Sequence, residues 1–180
     1  MKSKKFLSFV LVFVLMATLI LPAGLPALAG QIPIIDVSDS SGTNLPDGVT
    51  YNPTGKLFTI GTLANNSTIP VLGTTTVNTI LVASGVTGLT LELNGVTIDL
   101  SGGSVNAAPI DILGTSNVTI KLTDGTSNIL NANNTSNTKA GLHVTTSKRV
   151  TIVGDTLGTG TLTATGGKSS NNGQIGRAHV

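Results

Sequence analysis

The chain has 180 residues, of which 10% are charged and 3% aromatic, and it contains no cysteine. This composition excludes disulfide cross-links and thiolate metal sites. When the lysines of the N-terminal segment are set aside, seven basic and eight acidic residues remain, so the chain lacks the positive footprint of a nucleic-acid-binding protein.

Residues 1–29 are predicted to form a signal peptide. Lys2, Lys4 and Lys5 precede an apolar run, Pro22 breaks that run, and an Ala-Leu-Ala segment ends at Ala29. A basic start, a short apolar stretch and small residues at the cleavage position are typical of exported proteins. The alternative is a retained membrane anchor, for which the apolar run is short. We therefore expect a secreted or cell-surface bacterial protein without membrane contact after cleavage.

Residues 30–48 are expected to form an N-terminal capping segment, and residues 49–173 to form stacked β-strands. Three segments recur about every 30 to 32 residues, and a weaker fourth copy precedes them. Within each segment apolar residues alternate with Thr or a charged residue, and Asn-Gly, Asp-Gly or Gly-Gly pairs mark turns. The predicted strands are 49–51, 57–60 and 69–71; 80–82, 89–93 and 96–100; 110–112, 118–122 and 128–130; 142–144, 150–153 and 160–163.

Strands this short must stack on the next repeat to bury their apolar faces. The predicted fold is therefore all-β, a right-handed parallel β-helix of about four coils with roughly 30 residues each. Leu91, Ile120 and Ile152 are expected to point inward, one above another. A β-sandwich is the competing fold, but its strands need not repeat in sequence at a fixed period.

The same register makes predictions for the surface. Glu92 is expected beside Lys121 and Asp111 beside His143, both favourable neighbours on adjacent strands. A slip of one residue would turn the core leucines outward, so these pairs and the core depend on one register. An outward column of threonines is also expected, formed by Thr90, Thr119 and Thr151. Such columns suggest ice-binding surfaces, but the charged pair beside this one argues against that function.

The segment 174–180 breaks the repeat pattern. The string IGRAHV at 175–180 matches the in-frame translation of a common sequencing-library adapter, and a codon for Gln174 fits the two adapter bases before it. We interpret 174–180 as adapter-derived and not as a basic tail. Arg177 and His179 therefore receive no functional role, and the natural coils are expected to continue beyond Gly173.

Several motifs between Ile80 and Gly167 carry a family resemblance. They are LNGVTI at 93–98, PIDI at 109–112, NVTIKLTDGTSNIL at 117–130, AGLHV at 140–144 and GTGTLTATGG at 158–167. The chain resembles the β-helical carbohydrate-binding-domain proteins and related surface adhesins of Gram-positive and anaerobic bacteria. The resemblance implies an exported surface protein and polysaccharide binding, but it assigns no ligand to any residue. Sugar rings often stack on aromatic faces, and Tyr51 and Phe58 are the aromatic residues after the leader.

The sequence predicts no catalytic residues. A polysaccharide lyase or hydrolase would require convergent carboxylates and a base. The candidates on paper are Asp99, Asp111, Asp124, Asp155, Lys148 and Arg149. Carboxylates at turns usually accept local hydrogen bonds, which makes this reading the less favoured one.

A calcium site is predicted at Asp124 and Asp155, which occupy related turn positions. No other cofactor is expected. The predicted function is a non-enzymatic carbohydrate-binding or adhesin module, with a polysaccharide or cell-wall glycan as partner. The alternative is a purely structural stalk or spacer of a surface protein.

Overall fold

The protein is built from short strands whose side chains alternate between core and surface. The computed structural model describes residues 32–133, 140–145, 150–167 and, for the backbone alone, 175–178. The predicted signal peptide lies outside these residues, and all strands lie in the unit Pro33–Val180. In chain order the strands are β1 (Ile35–Asp36), β2 (Val49–Asn52), β3 (Leu57–Ile60), β4 (Thr68–Leu72), β5 (Thr74–Thr75), β6 (Thr79–Val82), β7 (Thr87–Leu93), β8 (Thr97–Asp99), β9 (Ile110–Ile112), β10 (Asn117–Leu122), β11 (Ser127–Asn131), β12 (Leu142–Val144), β13 (Val150–Gly154), β14 (Thr161–Thr165) and β15 (Ile175–Ala178).

The strands form three five-stranded sheets. Sheet A has the order β1-β4-β7-β10-β13, sheet B the order β12-β9-β6-β3-β2, and sheet C the order β15-β14-β11-β8-β5. Neighbouring strands are parallel, except for the antiparallel pairs β2–β3 and β14–β15. From β3 to β14 the chain passes through sheets B, A and C in that order, four times in succession. The predicted all-β class and the predicted parallel stacking are confirmed.

One hydrophobic core contains the inward side chains of all three sheets. The predicted register is confirmed, because Leu91 pairs with Ile120 and Ile120 pairs with Ile152. Leu91 and Ile120 are fully buried, whereas Ile152, in the last strand of sheet A, is half-buried. Burying a side chain of this size contributes about 1.5–3 kcal/mol, so the inward columns dominate the stability of the stack.

The step from one strand to the next within a sheet is not constant. In sheet A the aligned inward residues are Ile69, Leu91, Ile120 and Ile152, which gives steps of 22, 29 and 32 residues. Much of the growth lies in the connections from sheet C to sheet B. These connections contain three residues at 76–78, ten at 100–109 and ten at 132–141. The last step therefore falls within the predicted interval of 30 to 32 residues, the second is one residue shorter, and the first is much shorter.

The first predicted repeat also differs in its strands. β2 was expected to stack as a coil strand, but it pairs antiparallel with β3 and forms a hairpin. The turn is fixed by the side chain of Asn52, whose Oδ1 accepts hydrogen bonds from the backbone N–H groups of Thr54 and Gly55 at 3.0 Å each. Lys56 completes the reversal with a φ of 52°. Parallel stacking in sheet B thus begins at β3, and β2 covers the edge of that sheet.

Candidate functional site

The predicted calcium residues have protein partners at the corner between sheets A and C. Asp124 Oδ2 accepts a hydrogen bond from the backbone N–H of Leu157 at 2.7 Å. Asp124 Oδ1 accepts bonds from the backbone N–H of Thr159 at 3.1 Å and from its hydroxyl at 3.3 Å. These bonds, above all that from Leu157, hold the pKa of Asp124 below its ordinary value. Asp124 therefore fastens the corner of one coil to the corner of the next.

Asp155 belongs to a different group of charges. Lys121 Nζ lies 2.9 Å from Glu92 Oε1 and 3.1 Å from Asp155 Oδ1. The predicted neighbours Glu92 and Lys121 are confirmed, and Asp155 adds a second carboxylate to the same ammonium group. The hydrogen bonds that Lys121 donates, first to Glu92 and then to Asp155, raise the pKa of Lys121.

The carboxylates of the predicted calcium residues already have partners within the protein. Calcium takes six to eight oxygen ligands, and the oxygens of Asp124 accept backbone hydrogen bonds instead. The backbone N–H of Asp155 bonds to the carbonyl of Leu122, which places Asp155 level with Thr123 and one position away from Asp124. Within the described ranges, no group of three or more His, Cys, Asp or Glu side chains is arranged to hold a metal ion.

The remaining carboxylates considered for catalysis lie on separate sheets. Asp99 is in sheet C, where Oδ1 accepts the backbone N–H of Ser101 at 3.1 Å. The hydrogen bonds from Ser101, with a smaller one from Asn131, lower the pKa of Asp99. Asp111 is in sheet B, and its Oδ1 lies 2.9 Å from His143 Nδ1, as predicted. Lys148 and Arg149 lie outside the described residues.

The two aromatic residues pack against each other but do not form an open platform. The ring centroids of Tyr51 and Phe58 are 4.4 Å apart with an interplanar angle of 36°. Phe58 is fully buried, and the Tyr51 hydroxyl donates a 2.9 Å hydrogen bond to Asn78 Oδ1. Burial first, and the nearby charge of Asp39 second, raise the pKa of Tyr51. The pair belongs to the N-terminal end of the stack, where Asn78 Nδ2 also donates to the carbonyl of Val37 at 2.8 Å.

Sheets A and C both carry outward columns of hydroxyl groups. The predicted threonine column on sheet A is confirmed, because Thr119 pairs with both Thr90 and Thr151, and it lies beside the charged side chains of Glu92 and Lys121. Sheet C, where sequence reasoning placed no site, carries hydroxyl groups with fewer charges. Its outward positions on β5, β8, β11 and β14 are called here the sheet C face. The central column of this face consists of Thr74, Thr97, Ile129 and Thr163. On one side it is flanked by a column of Asp99, Asn131 and Thr165, and on the other side by the pair Ser127 and Thr161. The sequence contains one signal for this face, the alternation of Thr161, Thr163 and Thr165 in β14, because alternate residues of a strand share a face.

Two connections begin at the sheet C face. Residues 100–109 follow Asp99 directly, and residues 132–133 follow Asn131 directly, while residues 134–139 lie outside the described part of the chain. The two connections are joined by Asn133, whose Nδ2 donates to the carbonyl of Gly103 at 2.6 Å and to that of Val105 at 3.2 Å. Insertions in stacked repeats often collect on the face that binds a partner. The sheet C face is therefore the candidate functional site.

Comparisons with known proteins add no assignment. No protein-family model matches the chain, and neither the curated proteins nor the solved structures include a significant match. In the part of the chain that the structure describes, no helix has the length and apolar character needed to cross a bilayer.

Proposed function

We propose that this chain is a right-handed parallel β-helix of about four coils. Its support is the repeated passage through sheets B, A and C from β3 to β14, with parallel pairing at each step. Connections between parallel strands of one sheet are right-handed in about 98% of cases, which supports the handedness. β2 and the segment before it act as the N-terminal cap.

The module is exported and non-enzymatic, and it binds carbohydrate as a bacterial surface adhesin or secreted binding protein. The observation that carries this proposal is the sheet C face, which presents hydroxyl and amide groups in aligned columns. Such groups both donate and accept hydrogen bonds, as the hydroxyls of a polysaccharide do. The resemblance of residues 80–167 to β-helical carbohydrate-binding-domain proteins agrees with this assignment.

The positions and hydrogen bonds of the carboxylates support the non-enzymatic part of the proposal. Asp99 and Asp111 lie on different sheets, and Asp124 accepts backbone hydrogen bonds from the next coil. Glycoside hydrolysis uses two carboxyl groups facing one bond at about 5–10 Å, and lyase chemistry needs a base next to the substrate. Because these carboxylates lie apart from one another and already accept hydrogen bonds within the protein, they act as structural groups.

Affinity electrophoresis of the exported chain tests the proposal. The full chain, produced with its leader in a bacterial host, is purified from the exported fraction and run through gels containing neutral or acidic polysaccharides. Mass spectrometry of the purified protein is expected to show an N-terminus at Gly30. Retardation by at least one glycan without loss of the polymer is the expected result. Breakdown of the polymer, with or without calcium, would contradict the non-enzymatic assignment.

A structural spacer is the second candidate, and the contacts between coils favour it. Lys121 joins Glu92 and Asp155, which lie in the preceding and following coils, and Asp124 holds the loop of the next coil. Contacts of this kind stiffen a stack without requiring a ligand. If the exported chain passes through every polysaccharide gel unretarded, the spacer becomes the better assignment.

A further inference from the structure

We propose that the sheet C face binds a neutral, extended polysaccharide that runs along the stack of coils, with one sugar residue for each coil. This inference rests on the proposed carbohydrate-binding function and adds to it the face, the class of glycan and the direction of the bound chain. Four strands, β5, β8, β11 and β14, provide the contact positions.

The chemistry of the face favours a neutral partner. Of the nine outward positions on these four strands, six carry Thr or Ser, and Asp99 is the one ionisable residue. Its carboxylate already accepts hydrogen bonds from Ser101 and Asn131, so it adds negative charge without a free cation to pair it. An acidic polymer would meet that charge and find no ammonium or guanidinium group at these nine positions. Arg177, which is aligned with Thr163 in β15, belongs to the segment interpreted as adapter-derived and is given no role. A neutral, hydroxyl-rich polymer meets matching donors and acceptors.

The other two sheets present different surfaces. Sheet A carries the outward ion group of Glu92, Lys121 and Asp155, and sheet B carries the outward pair of Asp111 and His143. Those charges are paired with each other across adjacent coils, which fits a role in holding the coils together. Sheet A also carries an outward threonine column, formed by Thr68, Thr90, Thr119 and Thr151. The sheet C face differs from both sheets in combining hydroxyl groups with a single ionisable residue.

The spacing of the coils determines the direction of the bound chain. Thr74 is aligned with Thr97, Thr97 with Ile129, and Ile129 with Thr163. Adjacent strands are about 4.7–4.9 Å apart, a distance comparable to the length of one sugar residue in an extended glycan. A glycan lying across the strands would therefore repeat the same contact at each coil. Ile129 supplies an apolar patch for the C–H groups of one ring within this column.

The bordering connections limit the site on one side. Residues 100–109 and 132–133 continue directly from the column of Asp99 and Asn131, and the Asn133–Gly103 hydrogen bond ties the two connections together. The two connections belong to successive coils and lie next to each other at the same end of the strands of the face.

A length series tests the inference. Oligosaccharides of increasing length are prepared from a neutral glycan that retards the chain, and their dissociation constants are measured by calorimetry. Because four strands form the site, affinity is expected to rise with each added residue up to about four and then to level off. Equal affinity for a disaccharide and a hexasaccharide would overturn one-residue-per-coil binding, as would tighter binding of an acidic glycan than of a neutral one.

A matched pair of substitutions tests the face. Thr163 in β14 and Thr151 in β13 are both exposed outward threonines of the last coil, on sheets C and A respectively. T163K is expected to weaken glycan binding at least about tenfold, since it replaces a small hydroxyl with a long charged chain. T151K is expected to leave binding unchanged, and T163S to retain it.

The outcomes separate the two proposals. If T163K binds the glycan as tightly as T151K, the sheet C assignment is overturned while carbohydrate binding stands. If the unmodified chain binds no glycan, both are overturned. Far-ultraviolet circular dichroism of each variant must match that of the unmodified chain, and a second sheet C variant, T97K, is expected to reproduce the loss.

Discussion

Asn128 allows the stacking of the coils to be tested at a single buried side chain. It lies in β11, is fully buried, and points into a corner where the backbone of two neighbouring coils needs partners. Its Oδ1 accepts the backbone N–H of Val96 from the preceding coil at 2.9 Å. Its Nδ2 donates to the carbonyl of Thr161 in the following coil at 3.1 Å. One side chain thus satisfies backbone groups on both sides.

The expected cost of removing this side chain follows from those two bonds. Asn128→Ala leaves the N–H of Val96, a fully buried residue, without its partner, and an unsatisfied buried donor costs about 1–3 kcal/mol. The bond to the exposed residue Thr161 is replaceable by water and contributes about 0.5–1.5 kcal/mol. Together the two losses are expected to destabilise the protein by about 1.5–4.5 kcal/mol. This is a large share of the roughly 5–15 kcal/mol that stabilises a typical domain.

Urea denaturation monitored by circular dichroism measures this cost. The control is Asn117→Ala at an exposed position at the start of β10, which is expected to change the unfolding free energy by less than about 0.5 kcal/mol. Asn128→Leu separates hydrogen bonding from the loss of side-chain atoms, because leucine has the same branched shape but makes neither bond. If Asn128→Leu were as stable as the unmodified protein, the argument from backbone satisfaction would be refuted.

Three further predictions concern the core and the charged groups. Ile120→Ala, at a fully buried position, is expected to cost about 2–5 kcal/mol in urea denaturation, whereas Thr119→Ala on the outward side of the same strand is expected to cost far less. Lys121→Met is expected to lower the unfolding free energy at low salt, because the substitution leaves two carboxylates without their shared cation. The difference in unfolding free energy between this variant and the unmodified protein should shrink as sodium chloride is added. The raised pKa of Lys121 means that this contribution is present below the ordinary pKa of 10.5 and is lost as pH rises through the higher folded value, which denaturation at alkaline pH can measure. Hydrogen bonds from Ser41, and secondarily from Thr43, lower the pKa of Asp39 to about 2, so its contribution is present above about pH 4 and is lost between about pH 4 and 2. An NMR titration in which Asp39 titrates near its ordinary pKa of 3.8 would contradict this.

The repeating part of the fold could be predicted from the sequence because the alternation of apolar and polar residues determines which side of a strand faces inward. The pairing of Leu91 with Ile120 and of Lys121 with Glu92 followed from aligning the repeats. The N-terminal part could not be predicted in the same way. A strand pattern at 49–51 does not distinguish a coil strand from an antiparallel partner, and here the turn geometry around Asn52 decides between them. β5 has only two residues, too few to show a period.

The candidate site was harder to predict than the fold. The prediction for Asp124 and Asp155 was based on related turn positions, and the backbone bond of Asp155 to Leu122 places the two residues one position apart in adjacent coils. The sheet C face was missed because its strands differ in length and composition, so its columns become visible only when Thr97, Ile129 and Thr163 are aligned. Which side chains from different coils lie next to each other depends on how the strands pair, and the sequence of a single repeat does not show that pairing.

The same residue types serve two purposes in this protein, and the register separates them. Asn128 points inward and satisfies backbone groups, whereas Asn131, three residues later in the same strand, points outward on the sheet C face. Charged side chains on sheets A and B are paired between coils, as in the contact of Lys121 with Glu92. A spacer requires such pairing but has no need for one face to differ from the others. Thr151 belongs to a threonine column on sheet A that lies beside paired charges, whereas Thr163 lies on a face with one ionisable residue. The low charge of the hydroxyl-bearing sheet C face is therefore the feature that favours binding over a purely mechanical role, and the contrast between T163K and T151K addresses that feature directly.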